Sequence, residues 1–115
     1  MKRSVAVLSM ILCCMLSLKV LAADKPVVMG NVEEGKIKSA LCAGCHGLQG
    51  EGKVMPEGQP DAPVLAGQIP GYFLKAMQDY KTDKRVDPLM NAISKGLTDA
   101  DVANLAAFYA SIGAK

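Results

Sequence analysis

Cys42-Ala43-Gly44-Cys45-His46 is the stretch on which the fold turns. A C-x-x-C-H run is the signature of covalent c-type haem attachment. On a helical turn, positions three and four apart share a face, so Cys42, Cys45 and His46 project together. Two sulfurs then reach the two vinyl groups of a haem as thioethers while the imidazole reaches the iron. Gly44 keeps the backbone beside the macrocycle with no side chain between them. A thioredoxin-like redox pair needs a strand before it and a helix after it within a βαβ pattern, which the flanks lack. Zinc needs four ligands, and beyond the leader described next the chain offers two cysteines and its single histidine. Spacing alone leaves a plain Cys42–Cys45 disulfide open.

Outward from the motif, the chain is 115 residues long, room for one domain. Met1-Lys2-Arg3 is a short basic start, followed by Ser4 to Leu18, fifteen residues without a charge. That run is short of the roughly 20 residues a membrane-spanning helix needs. Small residues around Val20-Leu21-Ala22-Ala23 mark a cleavage point after Ala22 or Ala23, so residues 1–22 read as a cleaved export signal and 23–115 as the domain. An uncleaved anchor is the alternative, because Lys19 lies close to the cut. Export places the protein in the periplasm. Removing the leader takes Lys2, Arg3 and Lys19 from the 13 basic residues, leaving 10 against 11 acidic ones, a formal charge of −1. The basic balance of the whole chain, +2, therefore belongs to the leader and gives no surface for nucleic acid. Cys13 and Cys14 leave with it, so two disulfides are excluded.

The remaining 93 residues read as all-α. Asn31 caps a helix to Leu41, with Glu33 and Glu34 in its first turn. Pro70 opens a second, to Lys81, with Phe73, Met77 and Tyr80 on one stripe. Thr98 caps a third, to Ser111, with Asp101 three residues on, a stripe of Val102, Leu105, Ala106 and Tyr109, and Gly113 as its stop. No stretch alternates with period two between hairpin turns, so a sheet is not expected. From Gly47 to Gly67 lie five glycines and three prolines, a loop long enough to wrap something. The chain has only five aromatic residues and no Trp. A haem supplies the missing bulk, so three main helices, short helical turns and long loops are expected around one covalent haem.

A second axial ligand cannot be another histidine. Of Met29, Met55, Met77 and Met90, the reading favours Met90, which follows Arg85-Val86-Asp87-Pro88-Leu89 in a non-helical connection 44 residues after His46. Met77 fits a helix stripe, where packing is its job. The alternative to ligation is a loop methionine covering the haem edge, with five-coordinate iron. Lys75, Lys81, Lys84, Arg85 and Lys95 flank Met90 and read either as a weakly basic collar or as a solvated helix face.

Gly35-Lys36, Cys42 through Gly47, Pro63-Val64-Leu65-Ala66-Gly67-Gln68, Tyr72-Phe73-Leu74, Arg85 to Met90 and Leu97 through Ser111 carry a family resemblance over nearly the whole mature chain. The sequence resembles the bacterial class I cytochromes c of the soluble c-four and c-five types. The resemblance implies the small class I cytochrome c fold, haem c with iron, and His46 and Met90 as axial ligands. It also implies that the Pro63 carbonyl accepts the His46 Nδ1 proton, and that Gly35 lets the first helix cross closely against Phe108 or Tyr109. Proteins of the c-four type carry two such domains, whereas this chain has one C-x-x-C-H, so a single-haem relative is expected. A His/Met set raises the reduction potential and leaves iron no open position, which suits one-electron transfer between a redox donor and acceptor and not an enzyme. The expected protein is a monomer that meets membranes only through membrane-bound partners. The rivals are a haem subunit docked to a dehydrogenase or oxidase, and a haem peroxidase or gas sensor.

Overall fold

The computed structural model describes residues 29–113. The leader Met1–Ala22, its cleavage point and the first residues of the mature unit lie outside the described residues. Those described form five helices, α1 (Val32–Lys38), α2 (Ala40–His46), α3 (Pro70–Lys81), α4 (Pro88–Lys95) and α5 (Asp99–Ser111), and no strand. One antiparallel bridge, Lys53 to Ala62, closes the tip of the long loop. No helix among the described residues is long and apolar enough to cross a membrane.

The expected first helix is present and continues to His46, with a joint at Ser39. Asn31 caps it by accepting from the Glu34 amide at 3.0 Å. At the joint the Ser39 hydroxyl donates to the Lys36 carbonyl at 2.7 Å, competing locally with the helical ladder. Helix α3 has the expected bounds. In α5 both halves of the capping box are made, Asp101 N–H to Thr98 Oγ1 at 3.1 Å and Thr98 N–H to Asp101 Oδ2 at 2.9 Å. Its C-cap is Ile112 in extended conformation, one residue before the expected stop at Gly113.

α4 is the departure from the three-helix expectation. Met90 lies in its first turn, not in a non-helical connection. The cause is local: Asp87 Oδ1 accepts from Leu89 N–H at 3.1 Å and Met90 N–H at 2.9 Å, and Pro88 sets the φ of the first helical position.

Helix α5 is the spine of the core. Val102, Ala103, Leu105, Ala106, Phe108 and Tyr109 are all buried, facing α1 on one side and α3 on the other. Phe73 and Met77 of α3 and Leu97 complete the cluster. Burying a side chain such as Leu105 is worth about 1.5–3 kcal/mol against leaving it exposed. Behind α5, α1 crosses so closely that a Cβ at Gly35 would collide with the Asn104 carbonyl and come within 2.8 Å of Phe108 Cβ. The expected close crossing is therefore made against Phe108. Tyr109 turns the other way, packing on Phe108 and Phe73 with ring centroids 5.1 and 5.8 Å apart.

Candidate functional site

Helix α2 carries the motif. Cys42 and Cys45 are half-buried and unbridged, and His46 is buried at the last position of the helix. Gly47 then turns the chain at φ 87°, a conformation that strains any residue with a Cβ. Gly50, at φ 69°, sits so near the Tyr109 ring that a Cβ would lie 2.7 Å from it. The Gly50 carbonyl accepts from Leu65 N–H at 2.7 Å and Ala66 N–H at 3.0 Å, and Gly67 N–H donates to the Tyr109 carbonyl at 2.8 Å. These bonds bring the far end of the loop back beneath α2.

That return places the Pro63 carbonyl 2.8 Å from His46 Nδ1. A carbonyl only accepts, so Nδ1 carries the proton and Nε2 keeps its lone pair for a metal. The tautomer is thus set by the loop.

Cys42, Cys45, His46, Met90 and Pro63 all line one cavity of about 700 Å³. Its walls are mostly apolar, with Leu65, Phe73, Met77, Leu89, Ile93 and Leu105 among them. Met55 and Met77 border it as well, but Met77 is buried in the α3–α5 core, in the packing role the helix stripe predicts. Burial pushes the Cys42 thiol up. The Tyr109 hydroxyl is itself buried beside Cys42, makes no hydrogen bond among the described residues, and is raised by the same desolvation. A Cβ at Gly44 would meet no protein atom within 4 Å, so nothing in the polypeptide itself requires glycine there.

Arg85 is the one permanent cation in the wall. Its guanidinium donates to Tyr72 Oη at 3.3 Å and stacks over the Tyr80 ring at 4.9 Å. The Tyr72 hydroxyl, ahead of the cost of desolvation, raises its already high pKa. It has no carboxylate partner among the described ion pairs. The other cations near Met90 do not form a free collar. Lys75 pairs with Asp79, Lys81 lies 3.5 Å from Asp99 and donates to the Leu97 carbonyl at 2.7 Å, and Lys95 lies 2.7 Å from Asp83. Only Lys84 has no ion-pair or hydrogen-bond partner among the described residues. The solvated mixed-charge face is the reading that fits.

The donor set fits a haem. Two thiols and an imidazole with a free Nε2 stand on one helix, a methionine borders the same apolar cavity, and an unpaired guanidinium suits the carboxylates of a porphyrin. No cluster of three or more His, Cys, Asp or Glu side chains among the described residues is placed to hold a bare metal ion. Sequence reasoning missed two parts of the site, the Tyr72–Arg85–Tyr80 clasp and the side chain of Asn91, which bonds around the turn carrying Met90. The Asp87-Pro88 pair was a readable helix start; the clasp joins residues brought together only by the fold.

The sequence profile of the family described as Cytochrome c matches residues 32–112. The chain is 39% identical over 82 residues to cytochrome c4 of Pseudomonas aeruginosa, covering 71% of this chain and 38% of that protein. It is 33% identical over 85 residues to cytochrome c-554(548) of Halomonas halodenitrificans, covering 71% of this chain and 96% of that one. It is also 31% identical over 94 residues to the cytochrome subunit of sulfide dehydrogenase of Chlorobaculum tepidum, covering 81% and 80%. The solved cytochrome c4 of Acidithiobacillus ferrooxidans superposes with a TM-score of 0.61 at 30% identity, over 77% of this chain and 57% of that chain. The chain spans about two fifths of the length of the cytochromes c4 it matches. Because the profile runs from the first residue of α1 past the end of α5, the chain belongs to the cytochrome c family, whose covalent cofactor is haem c with its iron, and Cys42 and Cys45 fit that family's C-x-x-C-H motif.

Proposed function

We propose that this chain is an exported, monomeric one-electron carrier with a single haem ligated by His46 and Met90, working in the periplasm between a redox donor and a redox acceptor. When bound, haem c supplies reversible one-electron exchange at its iron. Cys42 and Cys45 would hold it through thioethers. His46 would offer Nε2, with the Pro63 carbonyl fixing the ring, and Met90 would offer its thioether sulfur from the opposite wall. Held by His46 and Met90, the haem would be left no free position for a substrate, and the chain's part would be to bind and shield the group. Arg85 would face the haem carboxylates and disfavour added positive charge on the ferric state.

The observation that carries this reading is the convergence of a tautomer-fixed His46 and a capped Met90 on one apolar cavity beside both cysteines. A pyridine haemochrome spectrum with a redox titration tests it. A c-type spectrum, one haem per chain and a clearly positive potential are expected. Rapid carbon monoxide binding at neutral pH, or peroxide turnover, would overturn the carrier reading in favour of a gas sensor or peroxidase.

A second reading, a haem subunit held on a dehydrogenase, is favoured by the similarity to the cytochrome subunit of the Chlorobaculum tepidum sulfide dehydrogenase over four fifths of both chains. Size exclusion of the native extract separates the two readings, since a free carrier elutes alone.

A further inference from the structure

Asn91 follows the proposed sulfur ligand directly, yet its side chain is turned to the backbone. Its Oδ1 accepts from Asp87 N–H at 2.8 Å, and its Nδ2 donates to the Tyr80 carbonyl at 2.6 Å and the Arg85 carbonyl at 2.8 Å. An N–H can only donate and a carbonyl can only accept, so the partners fix which end of the amide is which. Both amide protons are used, and the Asn91 N–H closes the first α4 bond to the Asp87 carbonyl at 2.8 Å. One side chain therefore joins the end of α3, the connection at Arg85 and the cap of α4.

The connection itself is a surface turn. Thr82 to Val86 are all exposed, with Val86 82% exposed, and Asp83 takes a positive φ of 58°. Its other ties are backbone bonds from Thr82, Asp83 and Arg85 N–H to the Gln78, Tyr80 and Asp79 carbonyls at 3.0, 3.2 and 3.0 Å, the Thr82 hydroxyl on the Gln78 carbonyl at 2.8 Å, the Arg85 guanidinium on Tyr72 and Tyr80, and the surface pair of Lys95 with Asp83; none of these reaches the cap of α4. Exposed pairs of that kind contribute little. A half-buried amide making three bonds, one of them to the Asp87 cap that holds the Met90 N–H, ties the start of α4 to the connection and to the end of α3.

We infer that Asn91 is a positioning residue for Met90: by fixing the 80–87 connection from within, it holds the first turn of α4 against the cavity and keeps the Met90 sulfur in place. This rests on Met90 as the axial ligand. Without Asn91 the Asp87–Met90 turn loses its hydrogen bonds to the end of α3 and to the connection, while the packing of α4 on α3, the α1–α5 crossing and the His46 wall remain.

The test uses the haem-loaded protein. In Asn91→Ala, the sulfur-to-iron charge-transfer band of the ferric form should be lost in urea well before the far-UV helix signal, with a wider gap than in wild type. Carbon monoxide should bind the ferrous form roughly tenfold faster. Asn91→Asp keeps the acceptor for Asp87 but not the two donors, and should show the same separation. If both midpoints shift together and carbon monoxide binding is unchanged, Asn91 is merely structural and the inference fails. Met90→Ala keeps the two claims apart: a band that survives there overturns the ligand assignment itself. A band lost there, with Asn91 variants behaving as merely structural, overturns only the role of Asn91. Should neither Asn91 variant load haem, hydrogen exchange on the wild-type holoprotein decides. An Asp87 amide that exchanges as slowly as those within α3 supports the clamp, and one as fast as exposed Val86 overturns it.

Discussion

The two walls of the cavity are built by different means. On the His46 side a helix delivers three functional side chains within five consecutive residues, and a returning loop adds one carbonyl at 2.8 Å. Behind that wall, α1 is locked to α5 through a glycine crossing with no room for a Cβ. On the Met90 side a single residue sits in an eight-residue helix, reached through an exposed connection and held by side-chain hydrogen bonds from Asp87 and Asn91. One wall is fixed by covalent spacing and close packing; the other packs Met90 and Ile93 on the core but takes the geometry of its first turn from polar bonds that water can contest. The second wall should therefore yield first.

The largest effect tests the first wall. Replacing Cys42 and Cys45 together with Ala should abolish covalent haem, read as loss of haem staining on a denaturing gel. Met90→Ala, on the other wall, should leave covalent haem in place, remove the charge-transfer band and lower the potential by a few tenths of a volt, within the roughly 0.8 V that axial ligands span. An unchanged band would erase the contrast between the walls. Asp87→Ala removes the α4 cap and should cost about 1 kcal/mol in thermal or urea unfolding. That loss should register as earlier loss of the band with the His46 wall unaffected. Arg85→Met should lower the potential by an amount on the order of tens of millivolts, because removing a cation favours the ferric state; a rise would show that the guanidinium does not face the haem.

The smallest effect lies behind the first wall and depends on pH. Backbone N–H donation from Thr98, followed by the Lys38 ammonium at 3.0 Å, lowers the Asp101 pKa to about 2. A carboxylate depressed in the folded state contributes its stability above its unfolded pKa and loses it as pH falls through the folded value. The Asp101 contribution should thus be complete at pH 5 and fade between about 4 and 2. Asp101→Asn should flatten that part of an acid-stability curve measured by far-UV circular dichroism.

The same contrast explains what could be read from the sequence. Cys42, Cys45 and His46 are neighbours along the chain, so their chemistry is written in local spacing. Asn31, Pro70 and Thr98 announced three helices because capping and proline preference act within one turn. The Pro63 contact came with a family pattern, since no local rule links residues 46 and 63. Helix α4 leaves only a faint trace in the sequence, the Asp87-Pro88 start signal, because it is eight residues long and too short for a clear apolar period. Asn91, the Tyr72–Arg85–Tyr80 clasp and the Tyr109 hydroxyl beside Cys42 depend on side chains that meet across turns and between elements, up to 67 positions apart, which periodicity does not encode. The aromatic shortage was legible as a need for bulk. The structure adds that three of the five rings pack against one another at a tilt, Phe73 from within the cavity wall, while two hold a guanidinium in that wall.

The pairing of Lys75, Lys81 and Lys95 with acids of their own chain has a consequence for encounter. Such pairs cancel at the distance over which charged proteins attract one another, about 8 Å at physiological ionic strength. Association with a redox partner should then vary little with added salt. Contact would be governed by short-range apolar fit around exposed Val64, Val86 and Leu89, a regime that favours brief collisions and quick release over long-lived ionic complexes.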